Sequence, residues 1–242
     1  MKRITTLTLS AIALLTVSPA FAVGNQVTVS QLGDSQTLLV DQSDQGGNQA
    51  TITQAGANNK AHIDQTNVEH NPPTYRNIAV IVQAGHDNGI NNNALIGLLL
   101  PAVRQSNSVE RGVVNAVSVR QDGFLNNVGY NQSGQGHGLI ITQAGDNNTA
   151  RLSQSGEFDS GKLTEDGSFN FFTAGQFGRA DQFTATQHAS DSRLTIQQYG
   201  DEEAAKLDQT GRNNTLFVVQ TGFQSSATVT QGGTNNFTQI VH

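Results

Sequence analysis

Pairs of apolar residues two positions apart recur along this chain: Val117 and Val119, Leu139 and Ile141, Leu194 and Ile196, Leu216 and Val218, Ala227 and Val229. Each pair has a polar residue two positions before it and, with few exceptions, a Gln two positions after it. A period of two predicts a β-strand with these side chains on one face. The same parity turns the flanking polar residue and the Gln inward. Arg120, Arg151, Lys162, Arg193, Lys206 and Asp208 take the opposite parity and are expected to point outward.

The strands repeat at a fixed interval. Stepping by eleven from Gln121 lands on Gln132, Gln143, Gln154, Glu165, Gln176, Gln187, Gln198, Gln209, Gln220, Gln231 and His242, without insertion or deletion. Two residues after these positions stand Gly123, Gly134, Gly145, Gly156, Gly167, Gly178, Ala189, Gly200, Gly211, Gly222 and Gly233, which predict tight turns. Six residues before them stand Asn115, Asn126, His137, Asn148, Asp159, Asn170, Asp181, Ser192, Glu203, Asn214, Ser225 and Asn236. Alternate turns end in Asn, as in Gly145 to Asn148, Gly211 to Asn214 and Gly233 to Asn236, and the intervening ones in His, Asp, Glu or Ser. Two chemically distinct turns alternate, so the unit is 22 residues, with two strands to a rung.

This predicts an all-β solenoid or cross-β stack of strand-turn-strand rungs. Residues 23–65 carry the first repeats, with one extra residue at Gly46-Gly47. Residues 66–76, with Pro72-Pro73, read as an ejected loop, because Pro cannot donate a ladder hydrogen bond. Residues 77–114 begin with a strand at Asn77 to Gln83 and then blur into an insertion or degenerate rung, and 115–242 form the regular array. Stacked rungs bring like side chains about 4.8 Å apart, so Gln and Asn amides can hydrogen-bond along the axis. The expected ladder is Gln121, Gln132, Gln143, Gln154, Gln176, Gln187, Gln198, Gln209, Gln220 and Gln231 with Asn126, Asn148, Asn170, Asn214 and Asn236. Asp159, Glu165, Asp181 and Glu203 occupy ladder positions, where stacked charges repel. They read as gatekeepers that slow assembly, or as charges at a solvent-facing corner.

Composition explains why a ladder is needed. Only 36% of the residues are hydrophobic, and there is no Cys and no Trp, so neither a thick core nor a disulfide holds the chain. At the N-terminus Lys2 and Arg3 precede an apolar run from Leu7 to Val17 and Ala20-Phe21-Ala22, the pattern of a leader, residues 1–22, cleaved after Ala22. No stretch reaches the length of a membrane-spanning helix. Of 13 basic residues 11 remain without Lys2 and Arg3, against 19 acidic ones, a formal charge of −8 that argues against a nucleic-acid partner.

The register resembles the curlin repeat of bacterial curli proteins, Ser-x5-Gln-x-Gly-x-x-Asn-x5-Gln. Ser225, Gln231, Gly233 and Asn236 follow it, with His242 in the last place; Asn48, Gln54, Gly56, Asn59 and Gln65, and His137, Gln143, Gly145, Asn148 and Gln154, follow it apart from the leading residue. The resemblance implies a structural subunit exported through an outer-membrane secretion apparatus. At the cell surface it polymerises with itself and with related subunits, nucleating or major, into extracellular amyloid fibres for adhesion and biofilm. This chain departs from the family in having more repeats, no long non-repeat segment after the leader, and often Asn or an acid for the leading Ser. The strand edge after Asn236 to His242 is a further expected growth point.

Candidate chemistry is sparse. His62, His70, His86, His137, His188 and His242 have no metal-ligand spacing. The glycines belong to turns rather than to a phosphate loop, no nucleophile elbow is present, and no cofactor or catalytic residue is expected. Two other readings are a monomeric solenoid binding module, an adhesin or an ice-binding protein using outward Thr such as Thr51, Thr53, Thr228 and Thr230, and a β-helix enzyme acting on polysaccharide. The last needs clustered acids and basic residues on one outward face, which the scattered charges do not supply.

Overall fold

The computed structural model describes residues 12–17, 25–43, 47–67, 76–90, 103–107 and 114–242. Every element among them is a β-strand, and the strands go alternately to two sheets. One sheet stacks nine strands: Gln26–Asp34, Gln49–Ala57, Arg76–His86, Val114–Phe124, Gly138–Asp146, Ser160–Ser168, Gln182–Ser190, Ala204–Arg212 and Ser226–Gln231. The other stacks Ile12–Val17, Thr37–Ser43, Lys60–Asn67, the pieces Gly89–Ile90 and Val103–Asn107, Asn127–Gln135, Thr149–Glu157, Phe171–Arg179, Arg193–Asp201, Thr215–Phe223 and Phe237–Val241.

All neighbours are parallel and in register, so that Gln121, Gln143, Glu165, Gln187, Gln209 and Gln231 form one column and Gln132, Gln154, Gln176, Gln198 and Gln220 another. The chain is a parallel β-solenoid with a 22-residue rung, as the eleven-residue stepping predicts. The eight steps across the nine-stranded sheet span roughly 40 Å at the usual strand spacing.

Most of the strands send two apolar side chains into a thin core shared by the two sheets. Leu194, Ile196, Leu207, Leu216 and Val218 are fully buried, and each such side chain stabilises the fold by about 1.5–3 kcal/mol. The core is packed large against small. Phe172 and Phe183 meet with ring centroids 5.7 Å apart. A Cβ at Gly161 would lie 2.3 Å from the Phe183 ring, so the glycine is the gap into which that ring fits. The outward parity is also as expected: Arg120, Arg151, Lys162, Arg193 and Lys206 are exposed, and Asp208 is half-buried.

Departures from strict periodicity lie in the first half. The strand Lys60–Asn67 runs two residues into the expected loop, the next strand starts at Arg76, and residues 68–75 with both prolines lie outside the described residues. Within 84–114 a rung is present but split: Gly89 and Ile90 pair with Lys60 and Ala61, and Val103 to Asn107 pair with Ile63 to Asn67. The Gln column is kept across the split, since Gln105 aligns with Gln65 below and Gln132 above. Most of the expected leader, including its cleavage site, lies outside the described residues; Ile12–Val17 pairs with Thr37 to Gln42.

Candidate functional site

The expected ladder residues lie in three columns at the two corners of the solenoid, two of Gln and one of Asn, all buried except Asn236; a fourth column holds Asn115, His137 and three of the acids. Along most of the two Gln columns the amide donates one N–H to the Gln Oε1 of the next rung. Gln132 reaches Gln154 at 2.7 Å, Gln154 Gln176 at 2.8 Å, Gln176 Gln198 at 3.0 Å and Gln198 Gln220 at 3.1 Å. On the other sheet Gln121 donates to Gln143 at 3.0 Å, Gln187 to Gln209 and Gln209 to Gln231 at 2.9 Å. The Gln Nε2 also crosses the core to a backbone carbonyl of the facing strand, as from Gln176 to Ser160 O at 3.1 Å and Gln198 to Gln182 O at 3.0 Å. Both donors are thereby used, which is what a fully buried amide requires.

The Asn residues close the corners. The Asn126 Oδ1 accepts the backbone N–H of Asn148 at 3.1 Å, and its Nδ2 donates to Asp122 O at 3.2 Å and Gly145 O at 2.7 Å. Asn148 repeats this with Asn170, Ala144 and Gly167, and Asn214 with Asn236, Thr210 and Gly233. Asn therefore needs an acceptor on one side and a donor on the other. Ser192, in the same column, keeps the acceptor role toward the Asn214 N–H at 3.1 Å.

The turn glycines sit where the rungs approach most closely. Gly145 has φ 97°, and a Cβ there would lie 2.0 Å from the Gly167 carbonyl oxygen. A second left-handed residue just before the Asn or acid of the corner, such as Asn147, Phe158 or Glu202, completes the turn; none of these left-handed positions holds a β-branched residue.

All four expected gatekeepers are buried, so the corner is not solvent-facing. Asp159, Asp181 and Glu203 stack on three consecutive rungs above His137, each 0% exposed, and Glu165 lies in the Gln column. Asp159 Oδ1 accepts the Asp181 N–H and Asp181 Oδ1 the Glu203 N–H, both at 3.1 Å, as Asn does. Oδ2 of both aspartates and both Glu203 carboxyl oxygens are buried without a hydrogen-bond partner. Burial raises the Asp159 carboxyl to about 7, with Asp181 and Asp201 adding repulsion. Glu203 is raised to about 7 by burial and by Asp181, Asp181 is raised by burial, and burial raises Glu165 to about 8. His137 Nδ1 lies 3.4 Å from Asp159 Oδ2, and burial lowers its affinity for a proton.

The outward faces carry other chemistry. Arg151 and Arg193 flank the Phe171 ring at 5.5 and 4.8 Å, and Phe177 stacks on Tyr199 at 5.2 Å. Among the described residues the outward threonines make no regular two-column array. Thr142, Thr164 and Thr186 align, but the column beside them reads Ile140, Lys162, Thr184, and Thr228 and Thr230 stack on Lys206 and Asp208. No group of His, Asp and Glu able to hold a metal ion occurs among the described residues.

The ladder extends further than the residues singled out from sequence. Gln31, Gln54 and Gln83 continue the Gln column down to Gln121, and Asn88 hands the Asn column to Asn126 at 3.1 Å. Asn88 was findable, since it lies eleven residues after Asn77. A family model described as the curlin associated repeat matches residues 189–222. No curated protein and no solved structure matches the chain. The matched segment holds the strands Arg193–Asp201 and Ala204–Arg212 and most of Thr215–Phe223. The chain therefore carries the curlin associated repeat over residues 189–222, and the rungs on either side share the register and ladder bonds of that segment.

Proposed function

We propose that this chain is a structural subunit of a curli-type extracellular amyloid fibre, exported from the cell and polymerising by adding rungs to the ends of its stack, with itself and with related subunits. The observation that carries the reading is the translational identity of the rungs. Parallel pairing in register, with Gln amides bonded along the axis, makes every rung a template for the next. Among the described residues, Ser226–Gln231 and Phe237–Val241 pair on one side only, as does Gln26–Asp34 at the far end of its sheet. A strand with open N–H and C=O groups recruits another.

The test is seeded growth of the purified chain followed with an amyloid dye. The expected result is a lag that preformed fibres abolish, with cross-β spacings in the product. Gln143→Ala and Gln209→Ala, which cut the buried column, slow elongation several-fold, while Arg151→Ala, on the outward face, leaves it within about twofold. A monomer that persists at high concentration overturns the proposal, and equal effects of the three substitutions overturn the role of the inward ladder.

A further inference from the structure

Both columns that hold acids are short of donors where the acids stand. At the corner, the atom facing the turn must give a hydrogen. Asn115 Nδ2 does so to Gly134 O at 3.0 Å, and His137 Nε2 lies 3.0 Å from Ser133 O. Asp181 Oδ2 occupies the same slot: it lies 3.2 Å from where a Cβ on Gly178 would stand, as Asn126 Nδ2 lies 3.3 Å from that point on Gly123 and His137 Nε2 3.0 Å from that on Gly134. A carboxylate has nothing to donate there, whereas a neutral acid carries an O–H where Asn carries an N–H. The Gln column has the same defect. Gln143 donates to Glu165 Oε2 at 2.6 Å, but the next link, which should run from position 165 to Gln187 Oε1, is missing. Glu165 Oε1 and Gln187 Oε1 are both buried without a partner.

We propose that Asp159, Glu165, Asp181 and Glu203 form a proton-binding set, and that the rungs they occupy close only when these acids are protonated, so acidification drives folding of this part of the array. The inference concerns the folding of the chain and stands whether or not the chain forms fibres.

The surrounding charges do not supply a substitute. Around the corner column stand Glu157, Arg179, Asp201 and His137; Arg179 is 3.8 Å from Glu157, and Asp201 adds repulsion. Beside Glu165 the outward Asp166 and His188 pair with each other at 3.5 Å. The sign follows from linkage. The acids ionise near 3.8 and 4.5 in an unfolded chain and are raised in the folded one, up to about 7 or 8 where a value is assigned. Their stabilising contribution is complete below about pH 4 and is lost as the pH rises to about 8. Each proton taken up on folding changes the equilibrium about tenfold per pH unit inside that window. His137, lowered by burial, works in the opposite direction below about pH 6.5 and offsets part of one such term.

The test compares the chain with a variant carrying Asp159→Asn, Glu165→Gln, Asp181→Asn and Glu203→Gln. Asn already occupies the corner column at Asn115 and Gln the column of Glu165 at Gln143 and Gln187, and Glu203→Gln keeps the length of the side chain it replaces. β-structure is followed from pH 8 to pH 5 at concentrations where sedimentation shows monomer, with Asp122→Asn, an exposed acid, as control. Wild type and control are expected to gain structure steeply as the pH falls, and the variant to be folded and nearly flat across the window. Glu165→Gln alone should remove about one proton's worth of the slope. In the infrared, folded wild type at pH 6 should show a protonated-carboxyl band that the variant lacks. A variant with the wild-type pH profile, or a folded wild type without that band, overturns the proposal.

Discussion

A glycine at position 145 answers two demands at once, a left-handed backbone and a gap of one carbonyl oxygen between rungs. Composition suggests only the first, because a turn glycine reads as backbone freedom. The second belongs to stacking, which has no trace within a single turn. Gly145→Ala therefore costs more than the roughly 1 kcal/mol expected of a lost left-handed glycine. The corner must open by more than an ångström to seat a methyl 2.0 Å from an oxygen. Thermal or denaturant unfolding should show a loss of at least about 2 kcal/mol, and Gly138→Ala, where a Cβ meets nothing within 4 Å, a much smaller one. Ala189 is the natural exception. It stands in a Gly position without the left-handed φ, and its carbonyl still accepts from Asn170 at 2.6 Å.

At the scale of the element, a strand here is an alternation whose two inward apolar places are filled by whatever the neighbouring rungs leave room for. Period two in the sequence identifies the inward places, but not which large residue leans over which small one. Gly161 is at an apolar place and looks like a defect; Phe183 fills the space 22 residues later. Gly161→Ala should destabilise by about 1–3 kcal/mol through overpacking. Adding Phe183→Leu should restore part of that loss, a coupling that a double-mutant cycle measures directly. Additive effects would count against this packing.

For the whole molecule, the array has a continuous half and an interrupted one. From Val114 onward the strands pair at an unbroken 22-residue interval, whereas Lys60–Asn67 pairs with a strand divided into Gly89–Ile90 and Val103–Asn107. A partner supplied by two separate pieces of strand is less cooperative than one continuous strand, so opening is cheap there. Below about pH 5, where the buried acids are protonated, hydrogen exchange should thus be slowest in the strands between Gly138 and Arg212 and faster by an order of magnitude or more in Lys60–Asn67. Uniform protection would show that the divided rung is as cooperative as the rest.

The period, the 22-residue rung, the inward parity and most of the Gln and Asn columns were legible in the sequence, because a solenoid repeats one local solution and a repeat survives projection onto a line. Three things were decided only by the stack. Gln105 rejoins its column after an interruption, since pairing with Gln65 and Gln132 selects it where counting by eleven loses the register. The fit of Phe183 over Gly161 depends on a neighbour 22 residues away. The protonation of Asp159, Glu165, Asp181 and Glu203 depends on what faces them. A carboxyl on an inward parity is visible in the chain, but whether its second oxygen meets water or needs a donor is settled by the rung stacked upon it.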